Sequence, residues 1–200
     1  MIRLLVALLA ALLVCSPAAA QSAHNLLVGE TKDINPRYLL QDINGRSVTN
    51  EDFRGRFQLI AFGYTYCPDV CPTTLVEMAA ILKQLGDLAD RLQPIFVTVD
   101  PERDSAKVLK TYTEFFDPRI LGLTGSPALI RRAADNFKIR YAKVHEPGSA
   151  NYAMDHSAGM ILLGPDGQYI RKFAFATPVD QITAQLVEIM GAHPTSPARR

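Results

Sequence analysis

Two cysteines separated by three residues, in Cys67-Pro68-Asp69-Val70-Cys71-Pro72-Thr73, form the pair in this sequence whose type and spacing could do chemistry together. Two thiolates on a five-residue turn can converge on one soft ion. Soft sulfur donors favour Cu(I), with zinc the main competitor. The same pair can also be oxidised, because a disulfide asks only that the two Cα atoms lie roughly 4.4–6.8 Å apart, which one compact turn supplies. The blander readings are a structural disulfide or two buried thiols packing as small apolar groups. Against these stand the proline content of the segment and its position at the opening of a helix. Pro72 disfavours helical dihedrals at Cys71, so Cys71 is expected to cap the helix rather than lie within it. Its sulfur would then face the helix N–H groups, drawing the thiol below its free value of about 8.5.

A well-held metal needs a third ligand, and the sequence has four histidines. His24 and His193 fall in terminal segments where surface exposure explains them. His145 opens a polar loop and reads either way. His156, in Asp155-His156-Ser157, directly precedes an apolar stretch and is the strongest candidate, although one histidine carries no spacing signal of its own.

The elements that must position these groups are legible from periodicity. Residues 57–64 form a near-continuous apolar run, as a strand buried on both faces requires. Leu75, Met78, Ala79, Leu82, Leu85 and Leu88 then recur at helical spacing, with Pro72 in the first turn, where a missing N–H costs nothing. A second apolar run, 94–99, is stopped by Asp100-Pro101. Strand, helix and strand in so few residues make a right-handed βαβ unit with parallel strands. Before it, Tyr38-Leu39-Leu40 and residues 42–48 read as a hairpin turning at Asn44-Gly45. After it, Asp104 or Ser105 caps a helix to Phe116, and Ser126-Pro127 opens another to about Asn136. Residues 138–144 suggest a short strand and 145–151 a polar loop. Residues 158–163 and 168–175 flank Gly164-Pro165-Asp166-Gly167 as a second hairpin, and a last helix covers about 178–190. This order predicts an α/β, thioredoxin-like fold with an N-terminal β-hairpin and a central helical insertion. Ligands in open α/β sheets sit beyond the carboxyl ends of the parallel strands. Cys67 is at that place, and the Asp155-His156-Ser157 loop would lie beside it.

Residues 1–20 read as a cleaved secretory signal. Arg3 is followed by an apolar run over 4–14 and by Ala18-Ala19-Ala20 before Gln21, and the run is shorter than the roughly 20 residues of a membrane-spanning helix. Cys15 follows the bulky pair Leu13-Val14, unlike an acylated lipoprotein cysteine, and is expected to leave with the signal. Residues 21–36 then form a flexible lead, 37–191 one domain and 192–200 a disordered tail. The chain of 200 residues carries a net charge of +1, so overall charge points to neither nucleic acid nor an anionic membrane. No phosphate-binding glycine motif or basic-aromatic patch is present.

Three motifs carry a resemblance: Gly63-Tyr64-Thr65-Tyr66-Cys67-Pro68-Asp69-Val70-Cys71-Pro72, Val97-Thr98-Val99-Asp100-Pro101-Glu102-Arg103-Asp104, and Asp155-His156-Ser157. In this order, over roughly residues 25–190, the chain resembles the Sco/SenC family. The resemblance implies a copper protein, periplasmic or on the outer face of the inner membrane, that helps assemble the dinuclear copper centre of cytochrome c oxidase. It implies Cu(I) or Cu(II) bound by Cys67, Cys71 and His156, a copper-receiving oxidase subunit as partner, and a monomer that is not an enzyme. Family members often carry a membrane anchor. Asp155 would either orient His156 or cap the preceding turn. Asp100 and Asp104 read as a strand stop and a helix cap, and Glu102 with Arg103 as a solvated pair rather than a contact for a partner. The competing reading is a thiol-disulfide oxidoreductase in which Cys67 and Cys71 keep partner cysteines reduced. A thiol peroxidase is suggested by fold analogy alone.

Overall fold

The structure, a computed structural model, describes residues 34–145 and 151–193. The expectations for the export signal, for residues 21–33 and for residues 194–200 lie outside the described residues.

The chain enters through β1 (Leu39–Asp42) and β2 (Ser47–Thr49), an antiparallel pair. Their turn is built by Asp42, whose carboxylate accepts the backbone N–H groups of Asn44 at 2.8 Å and Arg46 at 2.9 Å. Gly45 supplies the positive φ of 77° that the turn requires. A short 3-10 turn over Asn50–Phe53 leads into β3 (Phe57–Gly63), all seven of whose residues are buried. Gln58, the polar exception in that strand, accepts the Tyr38 hydroxyl at 2.8 Å and donates to the Asn50 carbonyl at 3.1 Å. Its burial therefore leaves no amide group unpaired.

Next come α1 (Val70–Leu85) and β4 (Leu92–Thr98). The two strands run parallel in register from Phe57 opposite Leu92 to Gly63 opposite Thr98, so the βαβ unit stands as expected. Leu75, Met78, Ile81, Leu82 and Leu85 line the buried face of α1. Each such side chain contributes about 1.5–3 kcal/mol relative to exposure, which is what fixes the helix over the sheet.

After β4 follow α2 (Ala106–Phe116), β5 (Leu121–Thr124) and α3 (Pro127–Asn136). The chain continues through β6 (Tyr141–His145), β7 (Tyr152–His156), β8 (Met160–Leu163), β9 (Tyr169–Phe173) and α4 (Val179–Ala192). The main sheet has the order β2-β1-β5-β4-β3-β8-β9, while β6 and β7 pair only with each other. The strands β4, β3, β8 and β9 with α1 and α4 make the thioredoxin-like core. The insertion after β4 is more than helical: β5 extends the sheet, parallel to β4 and antiparallel to β1. Its four residues are too few for a periodic pattern to register against the flanking loops.

The other unexpected strand is β7. Its residues alternate between outward Ala153 and Asp155 and inward Tyr152, Met154 and His156, yet at the sequence level they read as the flank of a polar loop. In α2 the cap is Ser105, whose hydroxyl accepts the Val108 N–H at 3.3 Å. Asp104 is fully buried and turned elsewhere.

Candidate metal centre

The end of β3 delivers the chain into the cysteine segment. Gly63 is the last strand residue, and a methyl group there would stand 2.7 Å from the Cys71 sulfur and 2.8 Å from the Phe96 ring. Only glycine lets the first turn of α1 sit this close to the sheet. Cys71 is consequently buried, at 2% exposure, while Cys67 is half-buried on the loop. Both are free thiols.

Cys71 lies inside α1, as its second residue, and not at the cap as expected; the N-cap position belongs to Asp69, whose side chain makes no capping bond. The helix tolerates Pro72 because its nitrogen is one of the four in the first turn with no partner inside the helix. The first closing bond runs from Thr73 N–H to the Asp69 carbonyl at 3.2 Å. The capping task falls to the other cysteine. The Cys71 N–H donates to the Cys67 sulfur at 3.4 Å, so the helix terminus faces Cys67. The expected lowering at Cys71 is likewise reversed: burial pushes its thiol well up, partly offset by a hydrogen bond from the Tyr64 backbone.

His156 reaches this pair from the end of β7. Its Nε2 stands 3.4 Å from the Cys71 sulfur, and its Nδ1 lies 3.1 Å from the Ser157 carbonyl oxygen. With the proton on Nδ1 donated to that carbonyl, Nε2 keeps a lone pair aimed at the thiols. The Tyr64 ring meets the imidazole edge to face at 5.9 Å. Asp155 plays no part in this, because it sits on the opposite face of β7.

The sulfurs of Cys67 and Cys71 and a ring nitrogen of His156 all lie within 4.8 Å of one another, the one such group of three among the described residues. Bonds to a first-row ion such as zinc run about 2.3 Å from thiolate and 2.0 Å from imidazole. Three donors converging on one ion through such bonds stand roughly 4 Å apart, so the group must draw in slightly to close on an ion. Two soft sulfurs with one imidazole is a donor set suited to copper or zinc. Of the other histidines, His145 ends β6 against the Tyr152 ring at 5.8 Å. His193 follows α4, its ring against Phe57 at 5.9 Å, and His24 is outside the described residues. Neither His145 nor His193 joins the group.

Sequence reasoning missed the groups that surround the three donors. Asp104 accepts the Thr65 N–H at 3.0 Å, the Thr65 hydroxyl at 2.6 Å and the Thr98 hydroxyl at 2.6 Å, which pins the cysteine loop to the end of β4. Burial raises this carboxyl above its usual range despite those bonds. Arg103 is not one of a solvated pair. It binds Asp100, whose side chain is fully buried, and donates to the Tyr152 carbonyl at 2.8 Å. Glu102 pairs instead with Lys143 at 2.6 Å. The motif containing all four was visible as a charged cluster after a strand; that Asp100, Arg103 and Asp104 turn inward while Glu102 stays exposed depends on contacts with Thr65, Thr98 and β7 that no local spacing encodes.

Fold and site together define a thioredoxin-like domain in which two thiols and a remote imidazole are grouped where they could hold a metal ion. A family model described as SCO1/SenC matches residues 28–191, and the chain belongs to that family. It is 39% identical over 135 residues to an SCO2-like protein of Rickettsia felis, covering 67% of this chain and 66% of that one; the match thus spans just under two-thirds of the relative's length. Copper-bound ScoI of Arabidopsis thaliana superposes with a TM-score of 0.75 at 31% identity, covering 80% of this chain and 99% of that one. Copper-bound ScoI of Bradyrhizobium japonicum does so with a TM-score of 0.71 at 38% identity, covering 78% and 98%.

Proposed function

We propose that this protein binds one copper ion through Cys67, Cys71 and His156 and passes it by ligand exchange to the copper-receiving subunit of cytochrome c oxidase during assembly. The observation that carries the reading is the grouping of two sulfurs and one ring nitrogen within 4.8 Å. It is supported by family membership and by the copper reported in two similar structures. Half-buried Cys67 is the ligand an incoming thiol or imidazole reaches first, while Cys71 and His156 hold the ion from the protein side. Copper is therefore cargo, held well enough to be carried and open enough on one side to be released.

The placement proposed is outside the cytoplasm, in the periplasm or on the outer face of the inner membrane, with the protein acting as a monomer. Among the described residues no helix is long and apolar enough to cross a membrane.

Copper titration of the reduced protein tests the binding. A one-to-one Cu(II) complex with a thiolate-to-copper charge-transfer band supports it, and the absence of any complex contradicts it. A second reading, thiol-disulfide exchange with partner cysteines, is favoured by one observation. One thiol is accessible and the other buried, with the Cys71 N–H donated to the Cys67 sulfur, as suits an attacking and a resolving cysteine.

A further inference from the structure

The ribbon of β6 and β7 shares no ladder with the main sheet, so the place of His156 depends on how the ribbon is docked. Its docking face carries Tyr152, Met154 and His156. Tyr64, at the start of the cysteine loop, touches this face through the Met154 backbone and the His156 ring. The central contact is made by Arg103. Its Nε pairs with Asp100, and its Nη1 donates to the Tyr152 carbonyl at 2.8 Å. Its guanidinium carbon lies 3.7 Å from the centroid of the Tyr152 ring, with Tyr66 at 5.0 Å and Tyr64 at 5.6 Å.

Asp100 closes the arrangement by accepting the Tyr152 hydroxyl at 2.9 Å. One guanidinium therefore spans the residue beside Cys67 and the strand that ends in His156. Met154, which is buried, and Arg131, whose guanidinium carbon lies 3.8 Å from the Tyr141 ring centroid, also join ribbon to body, whereas the ion pair of Lys143 with Glu102 is exposed on both sides and holds little in water.

We propose that Arg103, fixed by Asp100, is a positioning residue that docks the β6–β7 ribbon and so presents His156 to the ion held by Cys67 and Cys71. This rests on the three-ligand reading above. A planar fork is what the site needs, since it must stack on Tyr152 while bonding a carboxylate and a carbonyl at once. Lysine offers the charge without the plane.

Arg103→Lys therefore keeps a cation for buried Asp100 and removes the clamp. The expected result is that the reduced variant still takes up one Cu(I) on its two thiols, with affinity lowered about tenfold, the lower end for loss of a ligand-orienting partner. Imidazole nitrogen coupling should fade from the paramagnetic spectrum of its Cu(II) form, and the Cys67–Cys71 reduction potential should stay at the unsubstituted value. Tyr152→Phe, which removes one hydrogen bond and leaves the ring, should lower affinity about fivefold, as loss of about 1 kcal/mol implies; it carries the test if the lysine variant does not fold.

His156→Ala measured in parallel separates two failures. If it abolishes the nitrogen coupling while Arg103→Lys and Tyr152→Phe leave coupling and affinity unchanged, the positioning role is wrong. If His156→Ala itself changes neither, the three-ligand reading fails and this proposal with it.

Discussion

The cysteine loop and the histidine ribbon supply the same site by opposite means. The loop is welded into the core: Cys71 is buried beneath β3, Gly63 has no room for a methyl group, and buried Asp104 ties Thr65 to Thr98. The ribbon lies outside the main sheet: Met154 reaches the core, and Arg103, Asp100 and Tyr152 add polar contacts. Cys71 is thus fixed by packing, which leaves it little freedom. Contacts made through a few hydrogen bonds open at lower cost than a packed core. The two elements therefore differ in how firmly the fold holds the donors they carry.

The largest effect that separates the halves is at the welded side. Cys71→Ser should eliminate stoichiometric copper binding, since a hydroxyl is a poor ligand for a soft ion; titration of the reduced variant checks it. Next, Gly63→Ala should cost about 1–3 kcal/mol by overpacking and weaken copper binding at the same time, read from urea melts and from titration. If stability falls while affinity does not, packing and ligation are less closely joined on that side than the distances imply. The smallest effect should come from the ribbon's outer face: Asp155→Asn should leave copper affinity within about twofold, well short of the ~10-fold that loss of a ligand-orienting partner brings. A larger loss would return Asp155 to the role of orienting His156.

The same contrast accounts for what was legible in the sequence. The loop is local: two cysteines four positions apart, an apolar strand before them and a helical repeat after them could all be read in sequence, as could the βαβ unit and both hairpins bounded by glycine turns. The ribbon is not. His156 could be singled out by type and by its neighbours in the motif, but β7 was hidden because its alternation spans five residues beside a polar loop. Arg103, Asp100 and Tyr152 became a clamp only through contacts some fifty residues apart in the chain (|i−j| = 49 and 52). Even in the legible half, the preference of a residue before proline suggested a cap at Cys71, and the fold overrode it. The tight approach allowed by Gly63 draws Cys71 into the helix and leaves the Cys67 sulfur to receive its N–H.

The central claim is that His156 completes a copper site with the two thiols, and the His156→Ala variant tests it most directly when copper affinity and the Cys67–Cys71 reduction potential are measured on the same preparation. Thiol exchange has no need of the imidazole, whereas three-ligand binding does. Copper affinity is expected to fall sharply with the potential nearly unchanged; copper bound with the same stoichiometry and affinity as in the unsubstituted protein would contradict the assignment.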